Sequence, residues 1–191
     1  MNNYYKELPE NYEKYYEIDA KNNKIGIILN ILAVLLAIGV MIPFVFIYDF
    51  KFEVNLYTAL MFLVLAVSLV VYMILHELVH GLVYKLLTHE KLTFGLTFTV
   101  AFCGVPNIYV SKKTALLAVF APFVVFTITF LLCIFLIPNL TIKLLFVILF
   151  GLHFGGCSGD LYVGFLLLKS KGNILMNDTG PKQTFYKEII W

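Results

Sequence analysis

Residues 56–87 read LYTALMFLVLAVSLVVYMILHELVHGLVYKLL, and the reading of this stretch decides the fold class. A bilayer core takes about 20 consecutive apolar residues to cross, and a longer stretch tilts or projects into the interface. Near its end this one carries His76, Glu77 and His80. Ionisable groups at membrane depth cost about 2.5–3.5 kcal/mol each on insertion scales and are kept where they have partners or chemistry to do. On a helix His76 and His80 stand at i and i+4, so both imidazoles leave one face and can hold a single tetrahedral ion. Glu77 follows the first imidazole, where its carboxylate reaches water at the ion without being a ligand, the place of a general base in hydrolysis. The competing reading is a packing cluster in which the two histidines bond to Glu77 and backbone; it leaves three ionisable groups on one span without a purpose.

Three further apolar runs lie at 25–48, 114–137 and 142–168. The expected fold is therefore an all-α polytopic membrane protein with four transmembrane helices in a core of residues 25–168. The 191 residues are 61% hydrophobic and 14% charged, too few polar groups to cover a soluble domain of this size. Net charge is +2 and every basic residue is Lys. A bidentate phosphate clamp is absent, and no nucleic-acid partner is expected. Cys103, Cys133 and Cys157 lie in apolar segments; an odd number there reads as small buried hydrophobes rather than a disulfide framework.

Lysine placement orients the chain. The two loops expected outside hold only Lys51 and Lys143, while the others gather on the N-terminal arm, between the second and third spans, and on the tail. This asymmetry places both termini in the cytoplasm of a multi-pass cell-membrane protein. The arm, 1–24, is polar, acidic and rich in tyrosine, the wrong composition for a secretory signal. It is expected to be a cytoplasmic interfacial helix with Tyr4, Tyr5, Tyr12, Tyr15 and Tyr16 at headgroup level. Residues 169–191 form a cytoplasmic tail.

After the second span the pattern changes. Leu92, Phe94, Leu96, Phe98, Val100 and Phe102 alternate with Thr93, Gly95, Thr97, Thr99, Ala101 and Cys103, a period of two rather than 3.6. Gly104, Pro106 and Asn107 then supply a turn. A short β-strand or hairpin over about 92–110 is expected at the cytoplasmic interface, its edge covered by protein or water. A re-entrant loop without strand is the alternative.

A helix with two histidine ligands needs a third protein ligand and an open position for water. Residues 153–160 read HFGGCSGD. Asp160 precedes Lys169 by nine residues, as His76 precedes Lys85. With both lysines at cytoplasmic helix ends, the two groups have nearly equal depth. Asp160 is the preferred third ligand. His153 lies roughly 10 Å further towards the outer face of a straight helix, although Gly155, Gly156 and Gly159 could break the helix and bring it closer. Orienting a ligand or relaying protons suits it better, and plain packing serves equally well. Cys157 could supply a thiolate or be a small packing residue.

At these residues the chain resembles the site-2 protease group of intramembrane zinc metalloproteases. It is still more similar to a bacterial zincin-peptidase family of small polytopic membrane proteins. The elements that carry the likeness are His76 to Gly81, Ala121-Pro122-Phe123, and the run from Cys157 to Asp160. The likeness covers about 56–168. It implies that His76, His80 and Asp160 bind Zn2+ and that Glu77 activates water. It also implies that the strand with Leu92, Phe94, Leu96 and Phe98 pairs with an unwound substrate segment. Asp160 departs from the better-known proteases, where the last motif is Asp-Gly in a Pro-rich context; here Gly159 precedes it and Leu161 follows.

The function expected is that of a zinc-dependent intramembrane endopeptidase acting on transmembrane or membrane-surface peptides within the lipid bilayer. Two rival classes use the same residues: a zinc-binding membrane scaffold or regulator without turnover, and a small transporter whose polar groups line a pathway. Four spans without an internal repeat fit the transporter poorly.

Overall fold

A computed structural model describes residues 2–19, 23–50, 55–96 and 101–189. In chain order these form β1 (Tyr4–Tyr5), β2 (Tyr12–Asp19), α1 (Asn23–Ile47), α2 (Leu56–Thr88), β3 (Thr93–Leu96), β4 (Ala101–Gly104) and β5 (Tyr109–Ser111). There follow α3 (Lys112–Leu136), α4 (Leu140–Gly156), α5 (Ser158–Lys169), β6 (Ile174–Asp178) and β7 (Lys182–Glu188). Lys51 and Phe98 lie outside the described residues.

Among the described residues three helices, Ile25–Ile47, Leu56–Thr88 and Lys112–Leu136, are long and apolar enough to cross a membrane. The fourth expected span is not one straight helix. It breaks at Cys157 into α4 and α5, which are bent by 44°, and the count reaches four when the bent pair is taken as one span. Asn139 caps α4, its side chain accepting from the N–H groups of Thr141 and Ile142.

The all-α expectation is corrected by a five-stranded antiparallel sheet in the order β1-β5-β6-β7-β2. The arm expected as an interfacial helix is β1 and β2, and the tail is β6 and β7. Tyrosine and isoleucine favour a pleated, half-buried surface. The charges on β2 find opposite charges on β7: Glu13 stands opposite Lys187, Asp19 opposite Lys182, and Glu17 pairs with Lys182 at 3.0 Å. The expected hairpin after α2 is present as β3 paired with β4. It is shorter than 92–110, because Tyr109–Ser111 leaves it to join the larger sheet.

The chain forms two compact units. One comprises Met1–Gly26, His76–Pro122 and Asp160–Trp191, the other Ile27–Leu75 and Phe123–Gly159. In the first, one face of the sheet (Ile18, Val110, Ile174, Met176, Phe185) is buried against Tyr84 of α2, Ala115, Ala118 and Val119 of α3, and Val163 and Leu167 of α5. In the second, Gly155 of α4 meets α1 so closely that a Cβ there would lie 2.7 Å from the Ala33 carbonyl oxygen, the small-residue contact by which membrane helices approach. Lys143, buried near the start of α4, sits 4.0 Å over the Tyr48 ring, a cation–π contact.

One residue breaks the apolar face of the sheet. On β6, Ile174, Met176 and Asp178 point the same way, so Asp178 is carried into the core and is only 4% exposed. Its carboxylate accepts hydrogen bonds from the Tyr84 hydroxyl (2.7 Å) and the Gly180 N–H (2.9 Å), and its carbonyl accepts from the Val105 N–H (2.8 Å). Burial raises its pKa to about 6, against the two hydrogen bonds, which lower it. The folded state therefore holds this proton more tightly than the unfolded chain. The stability it contributes is full below pH ~4 and is lost as pH rises through about 6, a loss of about 3 kcal/mol. Thermal unfolding in detergent between pH 4 and pH 7 should show wild type losing stability relative to Asp178→Asn; parallel curves would contradict this assignment.

Candidate metal centre

Helix α2 is interrupted by no proline, so the i, i+4 spacing holds and His76 and His80 project together, each 8% exposed. Their Nε2 atoms are 3.2 Å apart. The break at Cys157 starts a new helix, and Asp160 stands in the first turn of α5, where the partial positive charge of a helix N-terminus favours a carboxylate. Its Oδ2 lies 3.1 Å from Nε2 of His76 and its Oδ1 3.5 Å from Nε2 of His80. On the far side of the His80 ring, Nδ1–H donates to the Ala118 carbonyl of α3 at 2.8 Å.

Zinc with bonds of about 2.0–2.1 Å to nitrogen and oxygen holds its ligand atoms about 3.3–3.4 Å apart. The two imidazole nitrogens stand 3.2 Å apart, and each has one of the two Asp160 oxygens at 3.1 or 3.5 Å. The chemistry of the donors agrees. With Nδ1 donating to Ala118, a neutral His80 turns the Nε2 lone pair towards the point that Nε2 of His76 and the Asp160 carboxylate also face. Three electron-rich atoms converging in a buried place are stabilised by a positive charge between them. His76, His80 and Asp160 fit a divalent ion.

Glu77 is half-buried beside His76. The Cys103 backbone N–H of β4 lies near its carboxylate. Gly81, the residue after His80, lets the hairpin come close: a Cβ there would meet Phe94, Cys103 and Leu92, the nearest atom at 2.7 Å. The Cys103 thiol is pushed up to about 12 by burial and then by the Asp178 and Glu77 carboxylates, so it stays protonated at neutral pH.

The remaining residues singled out from sequence are placed as follows. His153 is fully buried in the second unit, its Nδ1 2.8 Å from the Tyr72 hydroxyl and its Nε2 3.1 Å from Oγ1 of Thr127. Cys157, also buried, brings Sγ to 3.5 Å from the same Nδ1. Leu92 precedes β3, Phe94 is exposed on it, and Leu96 ends it. Three participants escaped the sequence reading. Ala118 and Cys103 act through backbone atoms, which a side-chain pattern does not reveal. Tyr84 sits at i+4 from His80, so its place on the ligand face was legible, but its partner Asp178 was not.

Two histidines one turn apart on a helix and a carboxylate from a later helix make a group that could hold a metal ion. The family model described as "Putative zincin peptidase" matches residues 69–175. That is more than half of the chain, and the chain belongs to this family. The membership implies zinc and a peptidase hydrolase. No curated protein and no solved structure matches the chain.

The geometry makes a direct prediction for metal analysis of the purified protein in detergent. Wild type should carry about one zinc per chain. His80→Ala and Asp160→Ala should each lose most of it, and His153→Ala should keep it. Full zinc in Asp160→Ala would remove that residue from the ligand set.

Proposed function

We propose that the chain is a zinc-dependent intramembrane endopeptidase, similar in site design to site-2 proteases, that hydrolyses peptide bonds in transmembrane or membrane-surface substrates. His76, His80 and Asp160 are the metal ligands and Glu77 the general base. The observation that carries the reading is the approach of the two imidazole nitrogens to 3.2 Å, each with an Asp160 oxygen within 3.5 Å, on the helix that bears Glu77. Membership of a zincin-peptidase family supports the metal and the reaction class, and helices long enough to cross a bilayer support its setting. The lysine distribution supports cytoplasmic termini, with the site a few helical turns from the inner surface.

Zinc, when bound, supplies Lewis-acid polarisation of the scissile carbonyl and lowers the pKa of water towards about 7. Glu77 accepts the proton of the attacking water as its oxygen bonds to the carbonyl carbon, and delivers that proton to the amine nitrogen as the C–N bond breaks. Among the described residues β3 pairs with β4 alone. Its outer edge suits an extended substrate segment by strand addition, with Leu92 and Phe94 alongside.

Cleavage of model transmembrane peptides by purified protein tests the reading. Glu77→Gln should retain zinc and lose about 10²-fold or more in kcat. Undiminished cleavage by this variant would exclude Glu77 as the base, and stoichiometric zinc with no turnover in wild type would favour a zinc-binding scaffold.

A further inference from the structure

Pro122 lies inside α3, ten residues after the helix begins, and is buried. A proline within a helix has no N–H for the carbonyl four residues before it. In α3 that carbonyl belongs to Ala118, the one to which His80 Nδ1–H donates at 2.8 Å. In a membrane span a freed carbonyl has no water to turn to and must be satisfied by a neighbouring side chain. The imidazole does this. A histidine whose far nitrogen is held by a backbone carbonyl is fixed in ring orientation and tautomer, which leaves the other nitrogen as a lone pair for a metal.

We propose that Pro122 is a positioning residue for the metal centre: by withdrawing one amide from α3 it gives the Ala118 carbonyl to His80, and so sets the Nδ1–H tautomer and aims Nε2 at the ligand cluster. The proline is a cost to the helix that the site turns to use. The metal-binding part of this inference rests on the reading of His76, His80 and Asp160 as ligands; the tautomer part does not.

Pro122→Ala restores an N–H that competes with His80 for the Ala118 carbonyl. Its expected effects have opposite signs. The metal-free protein should unfold at an equal or higher temperature, because the helix regains a hydrogen bond, whereas zinc affinity in a chelator competition should fall about 10–100-fold. A proline that served packing alone would give the reverse. The imidazole ¹⁵N shifts of His80, recorded without zinc at a pH high enough to keep the ring neutral, should report Nδ1–H in wild type and lose that tautomer in Pro122→Ala. Ala121→Pro/Pro122→Ala moves the proline by one residue and frees the Leu117 carbonyl instead. It should bind zinc as weakly as Pro122→Ala, and wild-type affinity in this variant would assign the effect to a helix kink and overturn the proposal. Wild-type zinc affinity in Pro122→Ala would overturn it as well. If wild type binds no zinc, the peptidase reading fails on its own account and the His80 tautomer decides. Its loss in Pro122→Ala then supports the positioning of the imidazole, and its persistence ends it.

Discussion

Polar groups inside an apolar surround must find one another, and the convergence of two imidazoles with the Asp160 carboxylate is where this protein meets that demand most fully. Each partner of the cluster is delivered by a different device. The α-helical repeat delivers His76 and His80. A break at Cys157 delivers Asp160 at a fresh helix N-terminus, whose partial charge suits an acid. The Ala118 carbonyl delivers the tautomer of His80. Together they bring His76, His80 and Asp160 into a group that could hold a metal ion.

The sheet extends this arrangement from the helices to the two ends of the chain. Central strand β6 carries Asp178 into the core, where Tyr84, two turns beyond His76 on α2, donates to it. The Asp178 carbonyl accepts from the Val105 N–H in the loop after β4, and the Asn177 side chain donates to the Pro106 carbonyl there. The arm, the tail and the hairpin thus form a frame around the C-terminal end of α2. A buried carboxylate on the apolar face of a central strand is a local departure from the pattern of the fold, and such departures gather where function is served.

The apolar runs, the period-two stretch after α2 and the i, i+4 histidines with their intervening acid were all legible from residues a few positions apart. Equal expected depth made Asp160 the preferred third ligand over His153, because a helix converts residue number into distance at 1.5 Å per step. Local reading failed at the arm. Its tyrosines were taken as an interfacial belt, since their strand partner lies at the other end of the chain: Tyr12 pairs with Glu188 and Asp19 with Lys182. No periodicity within Tyr12–Asp19 announces which distant segment will complete it, and a bulge between Lys14 and Tyr16 blurs even the local alternation.

What the amino-acid order settled alone is therefore the chemistry available: which donors exist and on which helical face they stand. Whether those donors meet was decided by tertiary structure, since ligand geometry depends on a break in one helix, a carbonyl in a second and a hydrogen-bonded hairpin beside a third. Backbone atoms do much of this placing. They are the same at every position, so their roles appear only once the chain has folded and brought distant peptide groups within 3 Å of a side chain.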